Sequence, residues 1–266
     1  MICKTNDQLN LHYEIHGNEN SDKSIIFLNG LSQATVSWLL TIPFFKEKYK
    51  IILMDFIFQG QSDKVGEYRN FDTHAADVIT LLNHLKIEKV FVAGLSYGSL
   101  VAQHLAVNHG ERIEKLILIS TFAHKTTYSE AIELAWWRSL EIGGYALMLD
   151  IMLPTVLGED YFKNPLIPIE MMKKMRQDAN NDKEALFKLM QATKERIDYR
   201  QELKKVKVPT LVIQGQKDLL FPVHMAQEVS NAIPGAQLEV IPFAGHTLNL
   251  EAVPQMSGLI KKFIEA

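Results

Sequence analysis

Residues 89–98 place a serine directly after an apolar, β-type run, and they read Lys89-Val90-Phe91-Val92-Ala93-Gly94-Leu95-Ser96-Tyr97-Gly98. The pattern Gly-x-Ser-x-Gly is typical of a nucleophile elbow, a sharp and strained turn between a strand and a helix. Because strand and helix approach closely there, the positions two residues either side of the serine must lack side chains. The stretch predicts that Ser96 is a nucleophile at the end of a buried strand, and an ordinary glycine-bearing turn is the alternative.

A nucleophilic serine needs a base and an orienting carboxylate, and the C-terminal third of the chain holds a candidate for each. The β-type run 209–213 leads into a glycine-containing turn that ends on Asp218, and the run 237–242 leads into a loop that carries His246. The C-terminal ends of parallel strands meet along one edge of an open sheet. The sequence therefore predicts Ser96 as nucleophile, Asp218 as orienting acid and His246 as general base, in the chain order Ser, Asp, His.

Apolar strands alternate with helical patterns along most of the chain, which indicates parallel βαβ units. A helix capped by Asp72 is expected before the strand that leads to Ser96. The alternation stops at Ser120 and resumes near Val208, and the residues between read as helices. We predict an α/β fold with a mostly parallel central sheet flanked by helices. Residues 1–121 and 206–266 would form this core, and residues 122–205 an inserted helical cap.

The three motifs, in this order, resemble those of the α/β-hydrolase superfamily, and the resemblance covers essentially the whole chain. It implies the same roles for Ser96, Asp218 and His246, and a cap that roofs the active site, as in serine esterases. Acyl transfer also needs backbone N–H groups that stabilise the negative charge on the carbonyl oxygen. We expect these donors, the oxyanion hole, to be the N–H groups of Tyr97, directly after the nucleophile, and of Leu31, after an early strand.

Two loops depart from the superfamily's usual pattern. Asn29-Gly30 stands where members usually carry His-Gly, and Ile57-Phe58 stands where Arg-Gly is usual. Together these loops are similar to those of a sub-branch that contains 3-hydroxyacyl transferases of lipid-tail synthesis. A hydrolase whose loops have drifted is the alternative.

The predicted cap holds six of the ten methionines. Flexible thioethers make an adaptable apolar wall, so we predict Trp136, Trp137, Met148 and Met152 as substrate-binding residues and a small, largely apolar acyl substrate. A helical bundle with its own core is the alternative account of these side chains. The chemistry calls for no metal and no organic cofactor.

Composition excludes some partners and suggests a compartment. A net charge of −3, with no cluster of Lys or Arg that suits nucleic acid, argues against that partner. The single cysteine, Cys3, cannot form an internal disulfide, and neither an apolar N-terminal segment nor an uncharged membrane-spanning stretch is seen. The expectation is a cytoplasmic monomer or homodimer without a membrane span.

The sequence thus predicts a serine hydrolase that cleaves an ester or similar acyl bond through an acyl-enzyme on Ser96. An acyltransferase, in which an alcohol or thiol replaces water, is one alternative. A ligand-sensing protein of the same fold that does not turn over is another. Dehalogenation is disfavoured because that chemistry uses Asp at the elbow.

Overall fold

The computed structural model describes residues 1–179 and 182–266. Its centre is one eight-stranded sheet in the order β1-β2-β4-β3-β5-β6-β7-β8. The strands are β1 (Ile2–Lys4), β2 (Asn10–Gly17), β3 (Ser24–Leu28), β4 (Lys50–Met54), β5 (Val90–Leu95), β6 (Ile113–Ile119), β7 (Thr210–Gly215) and β8 (Gln237–Ile241). The pairs β1/β2 and β2/β4 are antiparallel, and all other pairs are parallel. The predicted mostly parallel sheet is confirmed.

The inner strands are buried on both faces because helices cover both sides of the sheet. Every residue of β3, β5 and β7 is buried, as expected for the continuous apolar runs of a parallel sheet. The helices are α1 (Phe71–His84), α2 (Tyr97–Asn108), α3 (Thr127–Val156), α4 (Glu159–Lys163), α5 (Ile169–Ala179), α6 (Lys183–Glu195), α7 (Arg200–Leu203), α8 (Val223–Ala232), α9 (Leu248–Glu251) and α10 (Val253–Glu265). Two apolar clusters result, one on each face of the sheet.

The N-terminal cap of α1 is Asn70, so the expectation that Asp72 caps this helix is wrong. Asn70 Oδ1 accepts the backbone N–H of Thr73 at 2.9 Å. Asp72 lies within the first turn, and its carboxylate bonds to α2 instead, 2.7 Å from His104 Nδ1. The acidic side chain is drawn to a partner on the neighbouring helix, which the local sequence does not reveal.

Five helices, α3 to α7, lie between β6 and β7, in the interval predicted to form a cap. Residues 180 and 181 of that interval lie outside the described residues. The longest helix, α3, is interrupted at Gly144, where φ is +67° and ψ is −166°. This conformation is accessible to glycine, and it separates helical segments 127–143 and 145–156. The boundary between core and cap stays a prediction.

Among the described residues, α3 is the helix whose length and apolar composition would allow it to cross a membrane. The sequence predicts no uncharged stretch of that length, and α3 does carry charged residues. In its most apolar window, 44% of the residues are buried inside the protein.

Candidate active site

The backbone at Ser96 turns sharply between β5 and α2, with φ +51° and ψ −115°. Its N–H donates to Ile119 O on the neighbouring strand at 2.8 Å, and its C=O accepts the N–H of Ser99 at 2.8 Å. A residue other than glycine at positive φ is strained by about 1–3 kcal/mol, and such strain persists only where the surroundings enforce it. The strained turn predicted at Ser96 is confirmed.

Glycine is required on both sides of this turn. A Cβ on Gly94 would lie 2.4 Å from Gly98 O, and a Cβ on Gly98 would lie 2.3 Å from Leu28 O. Real Cβ atoms do not approach backbone oxygens so closely, and these contacts involve backbone that cannot rotate away. Strand β3, strand β5 and helix α2 therefore meet here only because two side chains are missing.

Ser96, His246 and Asp218 form an unbroken line of hydrogen bonds. His246 Nε2 lies 2.8 Å from Ser96 Oγ, and His246 Nδ1 lies 2.7 Å from Asp218 Oδ2. A carboxylate only accepts hydrogen bonds, so Nδ1 carries the proton and Nε2 is left as the acceptor for the serine hydroxyl. The arrangement can therefore remove the proton from Ser96 Oγ.

Asp218 is held rigidly because both of its carboxylate oxygens are saturated. Oδ1 accepts the backbone N–H groups of Leu220 and Phe221, each at 2.9 Å. Oδ2 accepts Gln214 Nε2 at 2.7 Å in addition to the imidazole. Because the residue is 3% exposed, these donors replace the water that an ionised carboxylate would otherwise need. Gln214 was missed at the sequence level, although it is the last side chain of β7 before Gly215.

The loop after β3 is braced by amide side chains. Asn29, which stands where the superfamily usually has His, accepts the Trp38 indole N–H at 3.0 Å and donates to Met54 O at 2.8 Å. Gln59 Nε2 donates to Gly30 O at 2.9 Å. The amide at position 29 thus ties the loop to β4.

Leu31 on this loop and Tyr97 both line the cavity above Ser96. Tyr97 is the first residue of α2, where a helix leaves its N–H groups without intrahelical acceptors. The predicted oxyanion donors are therefore placed on the cavity wall, and their role stays a prediction.

The second unusual loop forces Phe58 into a conformation that glycine adopts more readily. Its φ is +79° although its ring is buried. The Lys188 ammonium lies 5.0 Å from the ring centroid, and the same ammonium donates to Gly66 O at 2.5 Å. Lys188 of α6 thus contacts both Phe58 and Gly66, and it connects this unusual loop to the predicted cap.

A chain of buried polar side chains supports the elbow, and no local sequence pattern predicts it. Ser99 Oγ donates to Ser96 O at 2.6 Å and lies 2.8 Å from Thr121 Oγ1. Gln103 Nε2 donates to the same threonine oxygen at 2.8 Å, and Arg196 donates to Gln103 Oε1 at 2.6 Å. Arg196 follows α6 directly, so the chain runs from the end of the predicted cap to the backbone of the serine.

The line of hydrogen bonds opens into a cavity of about 460 Å³. Of the four predicted substrate-binding residues, Trp136, Trp137 and Met152 line this cavity. Met148 does not, and its prediction is wrong. It is fully buried and packs into the apolar cluster instead, because in segment 145–156 of α3 it faces the protein interior.

Charged side chains also line the cavity, whereas the sequence predicts only an apolar wall. Lys125 and Glu133 face each other with Nζ 3.6 Å from Oε2, and their side chains are 11% and 17% exposed. Burial raises the pKa of Glu133 to about 7, although the nearby ammonium opposes the shift. Trp136 adds a further polar group, since its indole N–H has no acceptor among residues 1–179 and 182–266. The wall is thus mostly apolar and also carries a few charged side chains.

Within the part of the chain that the structure describes, no group of three or more His, Cys, Asp or Glu side chains is arranged to hold a metal ion.

Comparison with known proteins assigns the chain to a family. A family model described as serine aminopeptidase, S33, matches residues 20–252. Since the match spans most of the chain, the protein belongs to this family of the α/β-hydrolase superfamily. The resemblance seen in the motifs is confirmed, and the chain is a hydrolase of that superfamily.

Individual relatives are similar over most of their length. The chain is 28% identical to AB hydrolase superfamily protein YisY of Bacillus subtilis over 98% of this chain and 97% of that protein. It is 31% identical to 3-oxoadipate enol-lactonase 2 of Acinetobacter baylyi over 86% of this chain and 83% of the lactonase. The crystal structure of the enol-lactonase from Burkholderia xenovorans matches with a TM-score of 0.90 and 25% identity over 100% of both chains.

The strain at Ser96 predicts a stability difference between two variants that lack the serine hydroxyl. Ser96→Gly removes the strain, whereas Ser96→Ala keeps a Cβ at positive φ. After the greater freedom of glycine in the unfolded chain is subtracted, we expect Ser96→Gly to be more stable than Ser96→Ala by about 1 kcal/mol. Urea unfolding of both variants measures this difference. Equal stabilities, or a more stable alanine variant, would show that the turn is not strained.

Proposed function

We propose that this protein hydrolyses a carboxylic ester or lactone through an acyl-enzyme on Ser96. The observation that carries the proposal is the line from Ser96 Oγ through His246 to Asp218, which opens into a mostly apolar cavity. Only one tautomer of the imidazole satisfies both bonds, and it is the tautomer that a general base requires.

In the first step Ser96 Oγ bonds to the substrate carbonyl carbon while its proton passes to His246 Nε2. The carbonyl π electrons move to oxygen, and the N–H groups of Leu31 and Tyr97 stabilise this oxyanion. The intermediate then collapses, the bond to the leaving oxygen breaks, and the proton moves from His246 to that oxygen. Asp218 stabilises the imidazolium throughout without taking its proton.

In the second step water replaces the alcohol. His246 removes a proton from water as its oxygen attacks the acyl carbon, and the second tetrahedral intermediate expels Ser96 Oγ, which regains its proton. In a lactone the leaving oxygen and the acyl group belong to one molecule, so the product is a hydroxy acid. The enol-lactonases among the relatives support the inclusion of lactones.

The cavity suggests a substrate with an apolar body and at least one additional hydrogen-bonding group. Trp136, Trp137 and Met152 supply apolar surface, whereas Lys125 and Glu133 supply polar contacts. Pockets of this kind gain affinity from apolar burial and orientation from few polar groups. We therefore extend the largely apolar substrate expected from the sequence to one with a neutral polar substituent, such as a hydroxyl.

A fluorophosphonate should label Ser96 and no other serine, because among residues 1–179 and 182–266 only the Ser96 hydroxyl is hydrogen-bonded to a histidine side chain. Asp218→Asn should lower kcat for a p-nitrophenyl ester by about 10⁴-fold, since the amide favours the wrong imidazole tautomer. Peptide mapping and steady-state kinetics are the measurements. Asp63→Asn is the matched control, because Asp63 bonds to Asn10 outside the cavity and its loss should leave kcat nearly unchanged.

The outcomes separate the candidate functions. Labelling at Ser96 with steady release of acid supports hydrolysis, and labelling with turnover only after addition of an alcohol or thiol supports an acyltransferase. Labelling without turnover of any ester or lactone supports a ligand sensor. An adduct on another serine, or full activity in Asp218→Asn, would contradict the mechanism.

Met152 and Met148 offer a paired test of the cavity. Met152→Ala should lower kcat/KM for medium-chain esters about five- to tenfold relative to acetyl esters, chiefly through KM, because roughly 0.8 kcal/mol is lost for each methylene no longer buried. Met148→Ala removes the same side chain from the core and should lower stability while leaving the chain-length profile unchanged. A profile that changes equally in both variants would contradict the assignment of the cavity as the acyl site.

The raised pKa of Glu133 predicts a pH-dependent stability. The folded protein holds a proton on Glu133 that the unfolded chain releases, so this contribution is full at pH 4 and is lost as pH rises through about 7. The Glu133→Gln variant lacks this loss, so its melting temperature relative to the wild type should be higher at pH 8 than at pH 5. Glu141→Gln, an exposed residue of the same helix outside the cavity lining, is the control. A pH-independent difference would show that burial does not destabilise the carboxylate.

A further inference from the structure

Glu251, the last residue of α9, accepts hydrogen bonds from three backbone N–H groups through one partly buried carboxylate. Oε2 accepts Gly158 N at 2.7 Å and Gly245 N at 2.9 Å, and Oε1 accepts Thr247 N at 2.9 Å. Two of these donors are the immediate neighbours of His246 in the chain. The third follows α3 and belongs to the predicted cap. One side chain thus holds the peptide units before and after the base and joins them to a distant segment.

A second set of contacts joins the same two segments. Val156 O, at the end of α3, accepts His246 N at 3.1 Å and Thr247 Oγ1 at 3.1 Å. The backbones touch directly, since a Cβ on Gly245 would lie 2.4 Å from Gly158 N. The loop of His246 is therefore pressed against the end of α3 and has no room to shift toward it.

A carboxylate is the side chain that this position needs. Three N–H groups converge on it, and an ionised carboxylate has two oxygens with about four acceptor sites and no donor. Burial raises the pKa of Glu251, while hydrogen bonds from Gly158, Gly245 and Thr247 act in the opposite direction. A buried carboxylate is costly unless such bonds are made, so its presence indicates that the geometry it enforces matters.

We propose that Glu251 is a positioning residue that sets the orientation of the His246 ring by fixing the backbone on both sides of it. The proposal rests on the proposed function, in which His246 is the base for Ser96. The ring must keep two hydrogen bonds at once, to Asp218 and to Ser96, and small rotations of its backbone lengthen one of them. Glu251 touches no reacting atom, and it acts through the loop.

Three substitutions weaken this contact to different degrees. In Glu251→Gln the amide oxygen can replace Oε2, but the amide NH₂ then faces the N–H of Thr247, donor against donor. In Glu251→Ala both acceptor oxygens are lost, and with them all three hydrogen bonds. In Gly158→Ala the carboxylate remains, but the new Cβ would lie 3.1 Å from Glu251 Oε2 and must displace it. This third variant disturbs the contact from the cap side, and its new Cβ would also lie 3.1 Å from Gly245 N on the loop of His246.

The rate of fluorophosphonate labelling and the kcat for an acetyl ester are measured for each folded variant. Misplacement of a catalytic group by about 1 Å costs about 10²-fold. We expect kcat and labelling to fall about 10²-fold in Glu251→Ala and about tenfold in Glu251→Gln and Gly158→Ala, with KM within about threefold of the wild type. Val78→Ala, a core truncation on α1, is the control for lost stability alone and should keep kcat.

A low-field proton NMR signal provides a readout that needs no turnover. The proton between His246 Nδ1 and Asp218 should resonate far downfield in the wild type and broaden or move upfield in the Glu251 variants. Because Glu251→Gln and Gly158→Ala retain most contacts, they keep the test possible if Glu251→Ala does not fold.

The results distinguish the two proposals. If the wild type shows the NMR signal but is not labelled, the proposed function is contradicted. Even in that case, an NMR signal that is the same in the Glu251 variants as in the wild type would overturn the role of Glu251. If the wild type is labelled and the variants melt at lower temperature yet keep kcat, labelling rate and NMR signal, Glu251 is only structural and this inference is wrong.

Discussion

The strained backbone at Ser96 is the constraint on which the rest of the site depends. A serine at φ +51° can be held only between two layers that do not yield, and here these are the buried strand β5 and helix α2. Gly94 and Gly98 allow the layers to approach, and the bonds from Ser96 N to Ile119 O and from Ser99 Oγ to Ser96 O fix the turn. The apolar sheet thus supplies the free energy that keeps the hydroxyl lifted toward His246.

The positions of the other two side chains in the candidate active site, Asp218 and His246, follow from the order of the strands. Because β5, β6, β7 and β8 are adjacent and parallel, the loops after β5, β7 and β8 open at one edge of the sheet. A serine, a carboxylate and a histidine that are distant in sequence meet there without any direct pairing signal. Sheet topology alone, however, leaves the loops free to shift. The hydrogen bonds that saturate the carboxylate of Asp218, and the three backbone N–H groups held by Glu251, remove that freedom.

The motifs predicted the fold and the three side chains because each motif lies beside a strand and the strand order is set by parallel βαβ units. Met148 was predicted wrongly because α3 is apolar on several faces, so its composition does not tell which methionine faces the cavity. The glycine at 144 turns the second half of the helix, and no periodicity crosses that break. Glu251 and Arg196 were missed for another reason. Their partners lie far away in sequence and are backbone or amide groups, which leave no pattern in the chain.

The two halves of α3 carry different tasks, and Gly144 separates them. Segment 127–143 brings Glu133, Trp136 and Trp137 to the cavity wall, whereas segment 145–156 ends in Val156 O, which accepts hydrogen bonds from the loop of His246. Movement of segment 145–156 would displace His246, so the candidate site tolerates little motion of this segment. Leu134 on the first segment and Lys194 on α6 are lining residues exposed to solvent, so the exposed part of the cavity wall includes the first segment. A substrate that enters past this segment reaches Ser96 without disturbing the contact that holds His246, and it meets Lys125 and Glu133 on the same wall.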